Sequence, residues 1–228
     1  MGFFDFFKNK QKLIEEKSEK IVLPNKEELK TNLDILQNEI FQFLKPLGFK
    51  KKGRTFNRQT EDGIYQVINI QSGQYYSILY GSFTINLGIM VKEIYELEIS
   101  NTPKDFYLEY ECQIRERLSN LTNQKDFWWP ISDKIENTAK EINEGLNSTG
   151  IEWLNALETR EKIVNNWLKM ARNTGRPELV VALTALTLER ENGSKLINDY
   201  YKKIKSNKPH KDYVKKLAEK LGVKLTSN

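Results

Sequence analysis

The chain has 228 residues and a formal net charge of +5 at pH 7, and its 29% charged and 39% hydrophobic residues exclude a chain too polar to build a core. No apolar run approaches the roughly 20 residues that cross a bilayer, and the first residues lack the order of a signal peptide. The single Cys112 cannot form an internal disulfide, so we expect a cytoplasmic protein in a reducing compartment.

The positive charge is concentrated in the last part of the chain. From Lys195 onward, ten lysines face only Asp199, Asp212 and Glu219, so this segment carries +7 and the remainder carries −2. A high isoelectric point that comes from one segment says little about the body of the protein. It does not by itself indicate nucleic-acid binding.

Residues 1–24 form an aromatic and basic N-terminal segment. In it Phe3, Phe4, Phe6 and Phe7 precede a lysine-rich stretch. This pattern suits packing against the body of the protein and also suits peripheral contact with a membrane surface. Both alternatives stay open.

A helix is predicted after Pro24. Asn25 can cap its first amides, and Glu28 stands three residues on, as in a capping box. Pro46 and Gly48 end it. Its apolar residues recur at spacings of three and four, and they are Leu29, Leu33, Leu36, Ile40, Phe43 and Leu47. Such a stripe must pack against another apolar surface, and we expect the strands that follow to supply it.

Three strands are predicted next, at 49–58 with a break at Gly53, at 64–71 and at 77–90, with hairpin signals between them. Because side chains alternate across a strand, one face should carry isoleucines and phenylalanine toward the helix. The opposite face then receives Asn57, Asn69, Gln71, Thr84 and Asn86, with Tyr65 and Val67 at one side.

That row of amides is the most informative feature of the sequence. Amides are poor strand formers and, when covered, they need partners for two donors and an acceptor each. The row is typical of a solvated outer face, and it also suits a recognition surface or a shallow pocket closed by later residues.

Residues 107–117 fit a strand or a helix, and we favour a fourth strand because an alternating aromatic run follows the break at Pro103. In that register Arg115 or Arg117 could reach the amide row and present a planar donor. The pair Trp128 and Trp129 comes next, either as core residues or as an exposed anchor, and we expect at least one to be buried.

Helices are predicted for the remainder of the chain, with interruptions at Asn192–Gly193 and at 207–209. The fold class is therefore α+β, with an antiparallel β-sheet of about four strands backed by helices. We assign this domain to residues 25–172 and an all-α C-terminal extension with a basic tail to residues 173–228.

The sequence contains few residues in patterns that are typical of catalytic sites. His210 is the only histidine, which argues against histidine-dependent nucleophiles and histidine metal sites. No nucleotide-binding glycine motif occurs. Carboxylates at 96, 98, 109, 111 and 116 could bind a metal ion, but acidic residues along a strand are typical of a solvated edge. We predict no catalytic residue, no metal and no cofactor.

Several short blocks resemble a known family: PLGFKKKGRTFNR, VINIQSG, FTINLGI, CQIRERL, DFWWP and GIEWL. Together, and in this order, they resemble the bacterial domain-of-unknown-function family DUF4304 over about residues 26–168. The resemblance implies a helix-backed antiparallel sheet. It transfers no activity and no catalytic residue, and it does not cover the helices from Arg176 onward.

The leading hypothesis is a non-enzymatic protein-binding module, immunity-like or regulatory, that uses its polar sheet face. Its candidate partner-binding or ligand-binding residues are Arg54, Asn57, Arg58, Asn69, Gln71, Asn86, Arg115, Trp128 and Trp129. The alternative is a nucleic-acid-binding protein that uses segment 45–58, where Phe49 and Phe56 stand among lysines and arginines. A small-ligand pocket over the amide row is a third alternative.

Overall fold

The computed structural model describes residues 25–74, 78–99, 102, 104–167 and 176–226. The N-terminal segment with Phe3, Phe4, Phe6 and Phe7 lies outside these residues, so its contact with the body or with a membrane stays a prediction. Among the described residues, no helix has the length and apolar character needed to span a bilayer.

The centre of the fold is an antiparallel sheet with the strand order β1-β2-β3-β4-β5. The strands are β1 (Lys50–Lys52), β2 (Thr55–Glu61), β3 (Ile64–Ser72), β4 (Ser82–Val91) and β5 (Ile114–Arg117). A two-residue strand, β6 (Trp129–Pro130), pairs with the start of β4.

Helices surround this sheet and continue to the end of the described chain. They are α1 (Lys26–Leu44), α2 (Lys92–Glu98), α3 (Leu118–Leu121), α4 (Ile135–Gly145), α5 (Ile151–Asn155), α6 (Arg160–Asn165), α7 (Pro177–Leu188), α8 (Arg190–Lys203) and α9 (Lys208–Lys220). The predicted α+β class with a helical C-terminal part is confirmed.

The first helix begins as predicted. The side-chain oxygen of Asn25 accepts bonds from the amides of Glu27 and Glu28, and the Glu28 carboxylate accepts the Asn25 amide at 2.9 Å. The buried stripe of α1 differs at its end, where Leu44 is buried and Leu47 is 36% exposed. This stripe and one face of the sheet form the main core, which buries Ile64, Ile68, Ile70, Phe83, Ile85, Leu87 and Ile89.

A smaller apolar cluster lies on the opposite face of the sheet. Val67 of β3 and Met90 of β4 pack there with Tyr95 of α2, with Tyr107 and with Cys112. Helix α2 and the loop 104–113 therefore cover half of the face that carries the amides.

The predicted break at Gly53 is confirmed, because Gly53 takes a left-handed φ of +58° in the turn between β1 and β2, although β2 continues past Arg58 to Glu61. Two other strands differ from the prediction. The third strand begins only at Ser82. The fourth strand is limited to β5, because residues 109–111 form a 3₁₀ turn whose Glu111 carboxylate accepts the Leu108 amide at 2.8 Å.

The C-terminal helices share the main core with the sheet and α1, since Leu179, Ile197 and Val214 belong to the same buried cluster. Glu98 at the end of α2 also contacts them, accepting the Tyr213 hydroxyl and pairing with Arg176 at 3.3 Å. The domain boundary at residue 173 falls outside the described residues and stays a prediction.

The predicted break at Asn192–Gly193 is wrong, because α8 runs through these residues and the chain leaves the helical conformation at Glu189 instead. The glycine serves close packing rather than a turn. A Cβ on Gly193 would lie 2.3 Å from the Cα of Leu186 in α7, so only glycine lets the two helices approach this closely.

Gly193→Ala should therefore destabilise the protein. An alanine in a helix normally improves on glycine by roughly 0.5–1 kcal/mol, but here the overpacking should cost about 1–3 kcal/mol. Gly145→Ala is the matched control, since its Cβ would meet nothing closer than Thr122 at 3.3 Å. Urea unfolding of both variants checks this, and a Gly193→Ala protein as stable as wild type would contradict it.

Candidate functional site

The strand register places the predicted amide row on the face away from α1. Thr55, Asn69, Asn86 and Arg117 stand opposite one another across four strands. A second row, one step along the strands, consists of Asn57, Val67, Gly88 and Arg115. The two rows have different surroundings, and this difference defines the site.

The second row is covered. Asn57 is 2% exposed, its Nδ2 donates to the Tyr107 carbonyl at 2.9 Å and its Oδ1 accepts the Tyr107 amide at 2.7 Å. Cys112 lies against Gly88, where a Cβ would come within 2.7 Å of the sulfur. Burial raises the pKa of the Cys112 thiol well above its ordinary value. Asn57 therefore fastens the covering loop and is not available to a partner.

The first row lies beside an opening, although Thr55 and Asn86 in it are each only 4% exposed. The Asn86 Nδ2 donates to the Gln71 Oε1 at 2.8 Å, and the Asn69 Nδ2 donates to the Thr55 hydroxyl at 2.9 Å. Gln71 is exposed. Beside it lies a cavity of about 510 Å³, which we name the polar cavity. It is lined by Gln71, Asn86, Glu109, Arg115, Glu116, Arg117, Asn120, Lys125 and Asp126.

Two arginines of β5 enter the polar cavity with different partners. Arg115 donates from Nε and Nη2 to the two carboxylate oxygens of Glu109 at 2.6 and 2.9 Å, and this bond raises the pKa of Arg115. Arg117 pairs with Asp126 and lies over the ring of Trp128, with 5.5 Å from its Cζ to the ring centroid. Arg115 is thus held by two parallel bonds to one carboxylate, whereas Arg117 makes one hydrogen bond to its carboxylate.

The loop 122–128 closes one side of the cavity. Its backbone takes positive φ at Asn123 (61°), Lys125 (28°) and Asp126 (58°). The Asp126 amide donates to the Asn120 side chain at 2.8 Å, and Phe127, which follows it, is 43% exposed. This loop therefore places the Asp126 carboxylate at the cavity, while the ring of Phe127 packs edge-on against Trp129 with 5.4 Å between the ring centroids.

On the covered side, an ion pair of 2.6 Å between Lys104 and Glu111 links two parts of the covering loop. Burial of Glu111 opposes its charged form, but the Leu108 amide and the Lys104 ammonium outweigh it and lower the pKa of Glu111. The same bond raises the pKa of Lys104. The pair therefore stabilises the conformation of the covering loop.

Three predicted site residues lie elsewhere. Arg58 is on the helix face, where it donates to Gln66 at 2.6 Å and to Asn155 at 2.6 Å. Trp129 is a core residue, 4% exposed, that stacks on Phe83. Arg54 lies in the turn before β2 and donates to the Ser72 hydroxyl at 3.1 Å. Trp128 is half-buried, and its ring contacts Arg117 of the cavity lining.

The aromatic residues of segment 45–58 are not available for stacking on bases. Phe49 is 3% exposed and Phe56 is fully buried. Lys51 points to the helix side and donates to Asn38 at 2.7 Å. Phosphate contact by Lys50 and Lys52 stays a prediction.

Sequence reasoning missed several residues of the cavity, namely Glu109, Glu116, Asn120, Lys125 and Asp126. Glu109 carried a weak signal, because it precedes a strand that holds two arginines. Glu116 lies in β5 itself. Asn120, Lys125 and Asp126 come from α3 and the loop after it, whose return to the sheet no local pattern predicts.

The family model described as a domain of unknown function, DUF4304, matches residues 40–156, just over half of the chain. The chain belongs to the DUF4304 family. The match begins within α1 and ends after α5, so the whole polar cavity lies inside the DUF4304 region and α6–α9 lie outside it. No curated protein and no solved structure matches the chain significantly.

In the part of the chain that the structure describes, no group of three or more His, Cys, Asp or Glu side chains is arranged to hold a metal ion. The carboxylates of the cavity have other partners: Glu109 binds Arg115, and Glu116 accepts the Asn120 amide at 2.8 Å.

Asn57→Ala should destabilise the protein by about 2 kcal/mol or more, since it leaves the buried amide and carbonyl of Tyr107 without partners. Asn69→Ala is the matched control. Its amide is half-buried and bonds a hydroxyl, so its loss should cost less than about 1 kcal/mol. Urea unfolding measures both, and equal costs would contradict a special role for Asn57.

Stability should fall in acid partly through Glu111. Because its pKa is lower in the folded state, the unfolded state binds its proton first, and this contribution is lost as the pH falls below about 4.5. In Glu111→Gln, the free energy of unfolding should change less between pH 7 and pH 3 than in wild type. Glu219→Gln, at an exposed position, is the control, and an equal change in all three proteins would refute the assignment.

Proposed function

We propose that this DUF4304 protein is a protein-binding module whose contact surface is the polar cavity and its rim. The observation that supports the proposal is one cavity of about 510 Å³ that is lined by Gln71 of β3 and Arg117 of β5, with Arg117 also lying over the ring of Trp128. The predicted immunity-like or regulatory role is one version of this function.

The chemistry of the rim favours a protein partner. Arginine, tryptophan and other aromatic residues are enriched where binding energy concentrates in protein interfaces. Arg117 and the half-buried Trp128 meet here. A partner side chain placed over Arg117 would contact a planar donor, the Gln71 amide and the Trp128 ring.

The scaffold also suits recognition. Asn86 and Gln71 belong to the two longest strands and bond each other at 2.8 Å, and Arg117 belongs to the next strand of the sheet. Side chains fixed in this way lose little freedom on binding, which lowers the entropic cost of association. The surface is thus formed before a partner arrives.

The test is photo-cross-linking in the source cell, with p-benzoylphenylalanine in place of Phe127 in the full-length chain. The replacement keeps an aromatic ring at this exposed position of the loop 122–128. We expect a discrete cross-linked protein whose yield falls when Gln71→Ala and Arg117→Gln are added.

Leu188 at the end of α7 is the matched control position, since it is 50% exposed and lies away from the cavity. The same cross-linker there should not capture that protein. Absence of a cross-link at 127 across several growth conditions, or an equal yield at 188, would refute the proposed surface.

A further inference from the structure

We infer that Asp126 is an internal substitute for the partner, and that the partner binds by placing an aspartate or glutamate side chain on Arg117 in its stead. The inference rests on the proposed function and names the chemistry of the partner. It is carried by the donors that line the polar cavity.

Three donors of the cavity have one partner or none. Within the described ranges, Arg117 has one side-chain hydrogen bond, to Asp126, and the Gln71 amide nitrogen and the Lys125 ammonium have none. These three groups line the same opening. Donors that face an opening without partners favour a ligand that brings acceptor oxygens.

The acidic residues of the cavity do not meet this need. Both oxygens of Glu109 are bound by Arg115, and Glu116 accepts the Arg117 amide and the Asn120 side chain at 2.8 Å each. Of the two arginine–carboxylate pairs that line the cavity, the pair of Arg117 and Asp126 is the one in which an incoming carboxylate would replace a single bond.

Asp126 has the properties of a displaceable group. Its side chain is 67% exposed, against 9% for Glu109. It also lies in a loop with three non-glycine residues at positive φ, a conformation that costs free energy and clusters at binding sites. Because exposed ion pairs contribute little stability, a carboxylate from outside can compete with it.

The charge of the cavity favours a carboxylate over a nucleic-acid backbone. Arg115, Arg117 and Lys125 are balanced by Glu109, Glu116 and Asp126, so the lining has no net charge. A chain of phosphates requires several unpaired cations along its path. A single acidic side chain requires one planar donor with room beside it, and Arg117 supplies that donor.

The direct test uses the full-length protein and an acetylated, amidated hexaglutamate peptide, with the Trp128 indole N–H resonance as reporter. Asp126→Asn should bind this peptide about two- to fivefold more tightly than wild type, since it removes the internal competitor. Asparagine tolerates the left-handed φ of this position as well as aspartate does. Asp133→Asn, an exposed acid outside the cavity, should not change the affinity by more than its general charge effect.

Arg117→Gln should weaken peptide binding about tenfold or more, because it removes a charge-assisted bond. Arg117→Lys keeps the charge and loses the planar pair of donors. Its affinity for the peptide should therefore lie between that of wild type and that of Arg117→Gln. Unchanged melting temperatures establish that the variants are folded. If Asp126→Asn binds no more tightly than wild type, or if an oligothymidylate binds Arg117 more tightly than the peptide does, the inference is overturned.

Its failure is distinguishable from failure of the proposed function. A cross-linked partner at position 127 together with an Asp126→Asn variant that binds no better would refute the internal substitute and retain the protein-binding surface. A carboxylate site that depends on Arg117 and Asp126, with no cross-linked partner, would refute the protein-binding surface and retain the site.

Discussion

Nine consecutive residue pairs hold β3 and β4 in one register, from Ile64 opposite Val91 to Ser72 opposite Phe83. A slip by one residue on one strand would turn its side chains to the wrong faces. Asn69 would then lie in the apolar core, where its amide would be buried without a partner, while Ile68 would face the cavity. The main core beneath α1 and the polar cavity above it therefore depend on the same pairing.

One buried amide divides the upper face of the sheet. By bonding both backbone groups of Tyr107, Asn57 draws the loop 104–113 down over Val67. A buried amide in a strand is tolerated because both of its ends are satisfied. The loop stops short of the next row, of which Asn86 and Arg117 line the cavity. A residue that was predicted to contact a partner thus positions the covering loop instead.

The two arginines of β5 show how environment separates residues of one type. Arg115 bonds a buried carboxylate with two parallel bonds, a geometry that resists exchange. Arg117, two residues further along β5, forms an ion pair with the exposed Asp126 and lies over the ring of Trp128. The two arginines of one strand therefore have different partners, because the neighbouring loops supply a buried carboxylate to one and an exposed carboxylate to the other.

The sequence by itself determined the features that depend on neighbours a few residues away: the capping box at Asn25, the stripe of α1 and the alternation that sends Asn69 and Asn86 to one face. The same alternation already separates Arg58 from Asn57. Only the tertiary structure decided that Gly193 serves packing and that Asp126 returns to Arg117. These features depend on contacts between elements joined by turns and loops, whose geometry is set by packing of the whole chain rather than by local pattern.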